Sequence, residues 1–256
     1  MRKMILTIGL SLLLGSAALG RPREGSILDG IRPGPDGKID VVTIFPHQDD
    51  ETIFVGGTLL IAKQDPRVRT HIVCFTLGDL SSARDYLHIT GEELAKIRIE
   101  ELQSAATVLR VDELIQLDHP DQGLPKLPPE ALAEEAREMI ERTGAEVVIT
   151  YGPDGMTGHS DHRALSAAVF AAFPQSQAQR LYYVSLSRFW SGVFPNEAKL
   201  RPQPATVKVD IAPVKKLKGL ALSTHASQKF YSGWLLNLGM MNRFDHEWFA
   251  RAAEKQ

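Results

Sequence analysis

Two short strings hold most of the side chains in this chain that could do chemistry: Pro46-His47-Gln48-Asp49-Asp50-Glu51 and Gly158-His159-Ser160-Asp161-His162-Arg163. His47 and Asp50 are three residues apart, so a tight turn entering a helix can face both toward one point. His162 from the second string would complete a facial set of two imidazoles and a carboxylate. Zinc accepts such donors at about 2.0–2.2 Å, and three protein ligands leave a position for water, the mark of a catalytic rather than a structural site. Water bound there has its pKa lowered to about 7. Asp49, next to ligand Asp50, cannot easily share the same coordination and is better placed to take the water's proton. His159, as an imidazolium, can stabilise an oxyanion or protonate a leaving amine, with Asp161 orienting it and keeping it charged. Each string alone reads equally well as a solvated turn, or as acids that suit the dipole of a helix start. The pair together makes the convergent polar cluster expected of a site.

The surrounding elements would have to bring the strings together. Ile39 to Phe45 is a continuous apolar, β-branched run, as in a strand covered on both faces. Strands are likewise expected at 70–77, 113–117, 146–150, 181–186 and 206–211. Helices are expected at 56–64, 91–109, 129–142, 161–173 and 213–228, with another near 245–253. The alternation implies an α/β fold: a Rossmann-like, mostly parallel sheet with helices on both faces and right-handed crossovers. In such sheets ligands bind beyond the carboxyl ends of the strands, where strand order reverses. With the order 3-2-1-4-5, the first and fourth strands are neighbours, and the two strings follow those strands.

The chain of 256 residues divides into a leader at 1–20, a Pro- and Gly-rich irregular lead-in at 21–38 and one α/β domain at 39–256. Arg2 and Lys3, the apolar stretch Met4 to Leu14 and the small residues Ala17-Ala18-Leu19-Gly20 form a secretory signal pattern, placing the mature protein outside the cell or in the periplasm. The apolar run is short for a membrane anchor, which needs about 20 residues. Without Arg2 and Lys3, 27 basic residues face 31 acidic ones, a net of −4. That balance argues against nucleic acid or a polybasic membrane contact. Cys74, the single cysteine, reads as a small buried hydrophobe. Gly56-Gly57 would let the first helix pack closely on the sheet. The aromatics Tyr231, Trp234, Phe244, Trp248 and Phe249 read as tail packing or as a sugar subsite.

The two strings resemble the signatures of the PIG-L/LmbE-like superfamily of zinc-dependent de-N-acetylases, Pro-His-Pro-Asp-Asp-Glu and Gly-His-Pro-Asp-His. Further stretches are similar to the family's secondary motifs: Thr76-Leu77-Gly78-Asp79, Arg98-Ile99-Glu100-Glu101, Pro120-Asp121, and Lys218 with His225-Ala226-Ser227-Gln228. The resemblance spans roughly residues 39 to 228. It implies zinc at His47, Asp50 and His162, Asp49 as general base, His159 as acid or oxyanion stabiliser supported by Asp161, and release of acetate from an N-acetylglucosamine-type amide. It also implies sugar contacts at Arg98 and Asp121, with Asp79 at the rim. The ligand types suit iron(II) as well as zinc. Gln48 and Ser160 stand where the family has prolines, so both loops are expected to be less restrained. The expected partner is a small-molecule or glycan N-acetylated substrate. The alternatives are an amidase for another N-acyl conjugate and a carbohydrate-binding relative without catalysis. Oligomeric state is not encoded in any of these features.

Overall fold

The structure is a computed structural model that describes residues 22–187, 203–229 and 245–255. The leader expected at 1–20 and the aromatics Tyr231, Trp234 and Phe244 lie outside the described residues. Strands β1 (Arg23–Glu24), β2 (Ile39–Phe45), β3 (Val68–Thr76), β4 (Glu113–His119), β5 (Val147–Thr150), β6 (Arg180–Ser185), β7 (Val207–Asp210) and β8 (His246–Glu254) form one sheet. Their order is β1-β7-β8-β6-β5-β2-β3-β4. The run β4-β3-β2-β5-β6 is the predicted 3-2-1-4-5 order, with every pairing in it parallel.

Parity along the central strands sorts two cores, because successive side chains leave a strand on opposite faces. Val41, Phe45, Val147 and Ile149 enter one core, and Val42, Ile44 and Val148 the other. Helices α1 (Asp50–Phe54), α2 (Gly56–Ala62), α4 (Gly91–Val108) and α7 (Lys215–Thr224) belong to the first face, where Leu59, Leu102 and Ala221 are buried. Helices α5 (Pro129–Arg142) and α6 (Ser160–Ala172) cover the second through Leu132, Ala136, Leu165 and Val169. The short α3 (Ala83–Leu87) precedes α4. None of the described helices is long and apolar enough to cross a membrane.

Two expectations are corrected. The tail near 245–253 is not a helix but β8, antiparallel to both β6 and β7. Its Ala-rich composition favours helix, but two flanking strands with open ladders override that preference. Strand geometry also buries Phe249 and carries Glu247 inward, where its carboxylate accepts the N–H groups of Gly57 and Thr58 at 2.9 and 2.7 Å and pairs with Lys218. The basic helix at 213–228 is in fact broken. A 3-10 turn at Ala212–Val214 leads into α7, and a second one covers Ala226–Gln228. The break falls at His225, whose ring turns in under α1 and is 1% exposed. The close approach at Gly57 is real: a Cβ there would lie 2.7 Å from the Ile211 side chain.

Candidate metal centre and active site

β2 ends at Phe45, and the chain turns at once through Pro46–Asp49 into α1. The turn is stitched to the end of β3, because the Pro46 carbonyl accepts both the Thr76 N–H at 2.9 Å and its hydroxyl at 2.8 Å. The second string does not follow β5 directly. A loop from Tyr151 to Gly158 intervenes, and His159 is the N-cap of α6. Since β2 and β5 are neighbours, both loops still reach the same end of the sheet.

There the donor atoms of His47, Asp50 and His162 meet. His47 Nδ1 lies 3.1 Å from His162 Nε2, and Asp50 Oδ2 lies 3.6 Å from each of those nitrogens. Donors about 2.0–2.2 Å from a tetrahedral ion stand roughly 3.3–3.6 Å apart, so the triangle has the right size. The second ring nitrogens define what the first ones offer. His162 Nδ1 faces the Gly155 carbonyl at 2.8 Å, so that nitrogen carries the proton and Nε2 offers a lone pair. His47 Nε2 faces Asp121 Oδ1 at 3.1 Å and Asp161 Oδ2 at 3.3 Å, so Nδ1 of the neutral ring is likewise bare. Asp50 Oδ1 accepts the Tyr151 hydroxyl at 2.6 Å, and Oδ2, which faces both ring nitrogens, also accepts the His47 backbone N–H at 3.1 Å. Three acceptors thus converge on one point, and a divalent cation fits them.

The electrostatics agree for Asp50 and His162. Burial alone would push Asp50 up, but His162, His47 and Tyr151 hold it below its ordinary value, in the carboxylate form. Burial pushes His162 down to about 4, which keeps the ring neutral and able to ligate. Burial also opposes charge on His47, yet the bonds its ring donates to the carboxylates of Asp121, Asp161 and Asp50 hold it well above its ordinary value, so His47 would give up a proton from Nδ1 on taking a cation. The cluster therefore draws in positive charge.

Asp49 is raised by burial and pulled down by Arg98, whose guanidinium lies 3.7 Å away. Its backbone sits at φ 114, outside the regions that L residues favour, at a cost of order 1–3 kcal/mol. His159 stands edge-on to His47, ring centroids 4.8 Å apart. The predicted Asp161–His159 carboxylate contact is not formed. Asp161 gives His159 only its backbone N–H, onto Nδ1 at 3.2 Å, while its carboxylate accepts Gln122 and Leu124 N–H groups at 2.7 and 3.2 Å and faces His47. Nor is His159 held charged. Burial and the charge on His47 lower it despite the nearby carboxylates. With Nδ1 accepting, its proton sits on Nε2.

The residues expected at the sugar lie behind the ligands. Arg98 is 3% exposed and donates to the carbonyls of Gln48 at 2.6 Å and Gly78 at 3.2 Å. Asp121 backs His47, and Asp79 accepts the Asp121 N–H at 2.8 Å. Their positions fit support of the centre better than contact with substrate. Gln48 is not loose either: it is fully buried with its Nε2 hydrogen-bonded twice, although its Oε1 has no partner among the described residues. Ser160, by contrast, is exposed at the start of α6.

Sequence reasoning missed Tyr151. Its ring stacks on His162, 4.2 Å between centroids at 9°, and its hydroxyl fixes Asp50, so it orients two of the three converging side chains. Its place just past the fourth buried segment, at a carboxyl end, was the available signal. It also missed Gly155. The backbone there has φ +68, and a Cβ would lie 2.8 Å from that of His162, so glycine is needed for the carbonyl to reach the ring.

Comparison with known proteins decides the family. A family model described as PIG-L, GlcNAc-PI de-N-acetylase, matches residues 42–173. The chain belongs to the PIG-L family. A Bacillus anthracis protein named as a probable N-acetyl-alpha-D-glucosaminyl L-malate deacetylase 2 is 32% identical over 192 residues, 73% of this chain and 80% of its own. Among solved structures, the N,N'-diacetylchitobiose deacetylase of Pyrococcus horikoshii aligns with a TM-score of 0.61 at 23% identity, covering 83% of each chain. GalB, a 4-carboxy-2-hydroxymuconate hydratase of Pseudomonas putida, aligns with a TM-score of 0.66 at 14% identity over 85% of this chain and 98% of its own. At such identities the structural likenesses speak for the fold alone. Membership of the PIG-L family makes this chain an enzyme of the deacetylase class, a hydrolase of amide bonds; donor atoms of His47, His159 and His162, and of His47, Asp121, His159 and Asp161, also lie within 4.8 Å of one another, so the cluster around His47 can hold a metal.

Proposed function

We propose that this protein is an exported, zinc-dependent de-N-acetylase acting on an N-acetylglucosamine-type amino sugar or glycoconjugate. The observation that carries the reading is the convergence of His47 Nδ1, Asp50 Oδ2 and His162 Nε2 within 3.6 Å of one another, beside the half-buried carboxylate of Asp49. The substrate class is supported by the relatives, whose names specify N-acetylated glucosamine conjugates. Export is supported by the basic, apolar and small-residue succession of residues 1–20.

His47, Asp50 and His162 would hold the ion. When bound, zinc lowers the pKa of water and polarises the amide carbonyl. Asp49 takes the proton from the attacking water, and Arg98 favours its ionised form at the outset. Negative charge developing on the amide oxygen is met by the Nε2–H of His159. Collapse breaks the C–N bond, and Asp49 passes its proton to the departing amine. The products are acetate and a free amino sugar.

The test is amine release from a panel of N-acetylated amino sugars and their conjugates, using protein stripped with a chelator and reloaded with zinc or iron(II). Acetate release that disappears on stripping and returns with zinc is expected. Release of a longer acid from another N-acyl compound, with N-acetyl sugars untouched, would reassign the substrate. Zinc binding with no hydrolysis of any N-acyl compound would remove the catalytic reading.

A further inference from the structure

The Gln48–Asp49 peptide is gripped from both sides. Its carbonyl accepts Arg98 Nη2 at 2.6 Å, and its N–H donates to Glu51 Oε2 at 3.2 Å. The residue it leads into, Asp49, has the disfavoured φ of 114. A backbone in that state persists only where its surroundings over-determine it. The third grip belongs to this chain in particular. Gln48 occupies the position of a proline in the motif its string resembles, and its side chain is fully buried. Its Nε2 donates to the Thr76 carbonyl at 2.7 Å and to Gln116 Oε1 at 3.1 Å. The Thr76 carbonyl is free to accept because the β3–β4 ladder shifts register between Cys74 and Thr76. Gln116 Nε2 reaches the same carbonyl at 2.8 Å. A proline would stiffen this turn through its ring. Here two side-chain amides stiffen it from outside, by tying it to the irregular end of the neighbouring ladder.

We propose that Gln48 is a positioning residue for Asp49: its buried amide locks the turn against the end of β3, so that Arg98 and Glu51 can hold the peptide that aims the Asp49 carboxylate. The proposal rests on the reading of Asp49 as the general base. Gln48 lies on the side of the turn away from the ligand triangle and gives no atom to it. Releasing the turn therefore alters the proton-transfer step, while the His47 ring stays anchored on Asp121 and Asp161 and Asp50 on the Tyr151 hydroxyl.

The experiment compares Gln48→Ala and Gln48→Pro in the zinc-loaded full chain. Gln48→Ala should lower kcat by about tenfold or more, since small misplacements of a reacting group are costly. KM and the zinc titration should stay within about twofold, and hydrogen exchange across 46–54 should quicken. Gln48→Pro should recover most of the kcat and slow the exchange again. The proline variant is expected to fold: Thr76 keeps its bond from Gln116, and the half-buried Gln116 can turn its oxygen to water. Wild-type kcat and exchange in Gln48→Ala would overturn the proposal. So would a fall in kcat without faster exchange, or a proline variant as impaired as the alanine one. If the wild type hydrolyses no N-acetyl amide, the proposed function fails, and the exchange data still decide whether Gln48 locks the turn.

Discussion

Two buried clusters of histidine and carboxylate sit at opposite ends of the same parallel strands. At the amino end, Asp40 accepts Arg69 Nε and His71 Nε2, both at 2.7 Å. His71 Nδ1 reaches Glu113 at 3.1 Å, Arg142 reaches Glu113 at 3.2 Å, and Glu146 accepts the Asp40 N–H at 2.7 Å. Every carboxylate there has a proton or a cation of the protein's own. At the carboxyl end, the far nitrogens of His47 and His162 are satisfied in the same way, but the near ones face each other and Asp50. Residue types do not separate a structural cluster from a metal centre. The difference lies in whether side-chain acceptors meet side-chain donors or meet one another.

The sharpest way to break the comparison is to remove one acceptor from the triangle. His162→Ala should lose stoichiometric zinc and at least about a thousandfold in kcat/KM, since the ion supplies several kcal/mol of transition-state stabilisation. Asp49→Ala should bind zinc normally and lose about 10²–10⁴-fold in kcat. Metal analysis beside steady-state kinetics checks both. If Asp49→Ala turned over at the wild-type rate, its role as base would be lost.

A milder perturbation acts one layer out. Tyr151→Phe keeps the stack on His162 and removes the hydrogen bond to Asp50 Oδ1. Loss of a partner that orients a ligand typically costs about 10–100-fold in metal affinity. A zinc competition titration should show a weakening of that order, and unchanged affinity would mean that Asp50 is held adequately by the His47 N–H alone. The opposite cluster provides the control. His71→Leu should lower unfolding stability by about 1–3 kcal/mol, as expected when buried acceptors lose a partner, without altering zinc content or kcat. Denaturant melts and metal analysis read the two effects separately.

The same contrast explains how far the sequence could be read. Apolar runs located β2, β3, β5 and β6, because a strand buried on both faces leaves an unbroken apolar signature, and the alternation of strand and helix then implied their order. The convergence of His47, Asp50 and His162 was legible because both strings lie beyond the carboxyl ends of neighbouring strands, the second after an intervening loop. β8 was not, since Ala250, Ala252 and Ala253 favour helix locally and only the open ladders of β6 and β7 make the segment a strand. The partners of Asp161 were hidden for a similar reason. Its carboxylate reaches Gln122 and Leu124, some forty positions earlier, across a loop whose path no local pattern specifies. His225 looked like one more helix residue, yet it breaks the helix and packs beneath Glu51 and Thr52 at 3.7 and 3.3 Å.

The smallest effect tests the one site residue whose expected partner changed most. If Arg98 touched the sugar, replacing it would raise KM and leave the pH profile in place. Its observed position beside Asp49 predicts the reverse. Burial raises the Asp49 carboxyl, and the guanidinium counters that rise by favouring the anion. The base must be deprotonated to act, so a higher pKa extends its inactive, protonated form to higher pH. Arg98→Gln should therefore move the acidic limb of kcat/KM upward by about one pH unit, the low end of what an opposite charge at this distance contributes. Arg98→Lys, which keeps the charge but not the fork that grips Gln48 and Gly78, should leave the limb nearly where it was and lower kcat instead. Profiles measured at saturating zinc would separate the two, and an unmoved limb in Arg98→Gln with a raised KM would return Arg98 to the substrate.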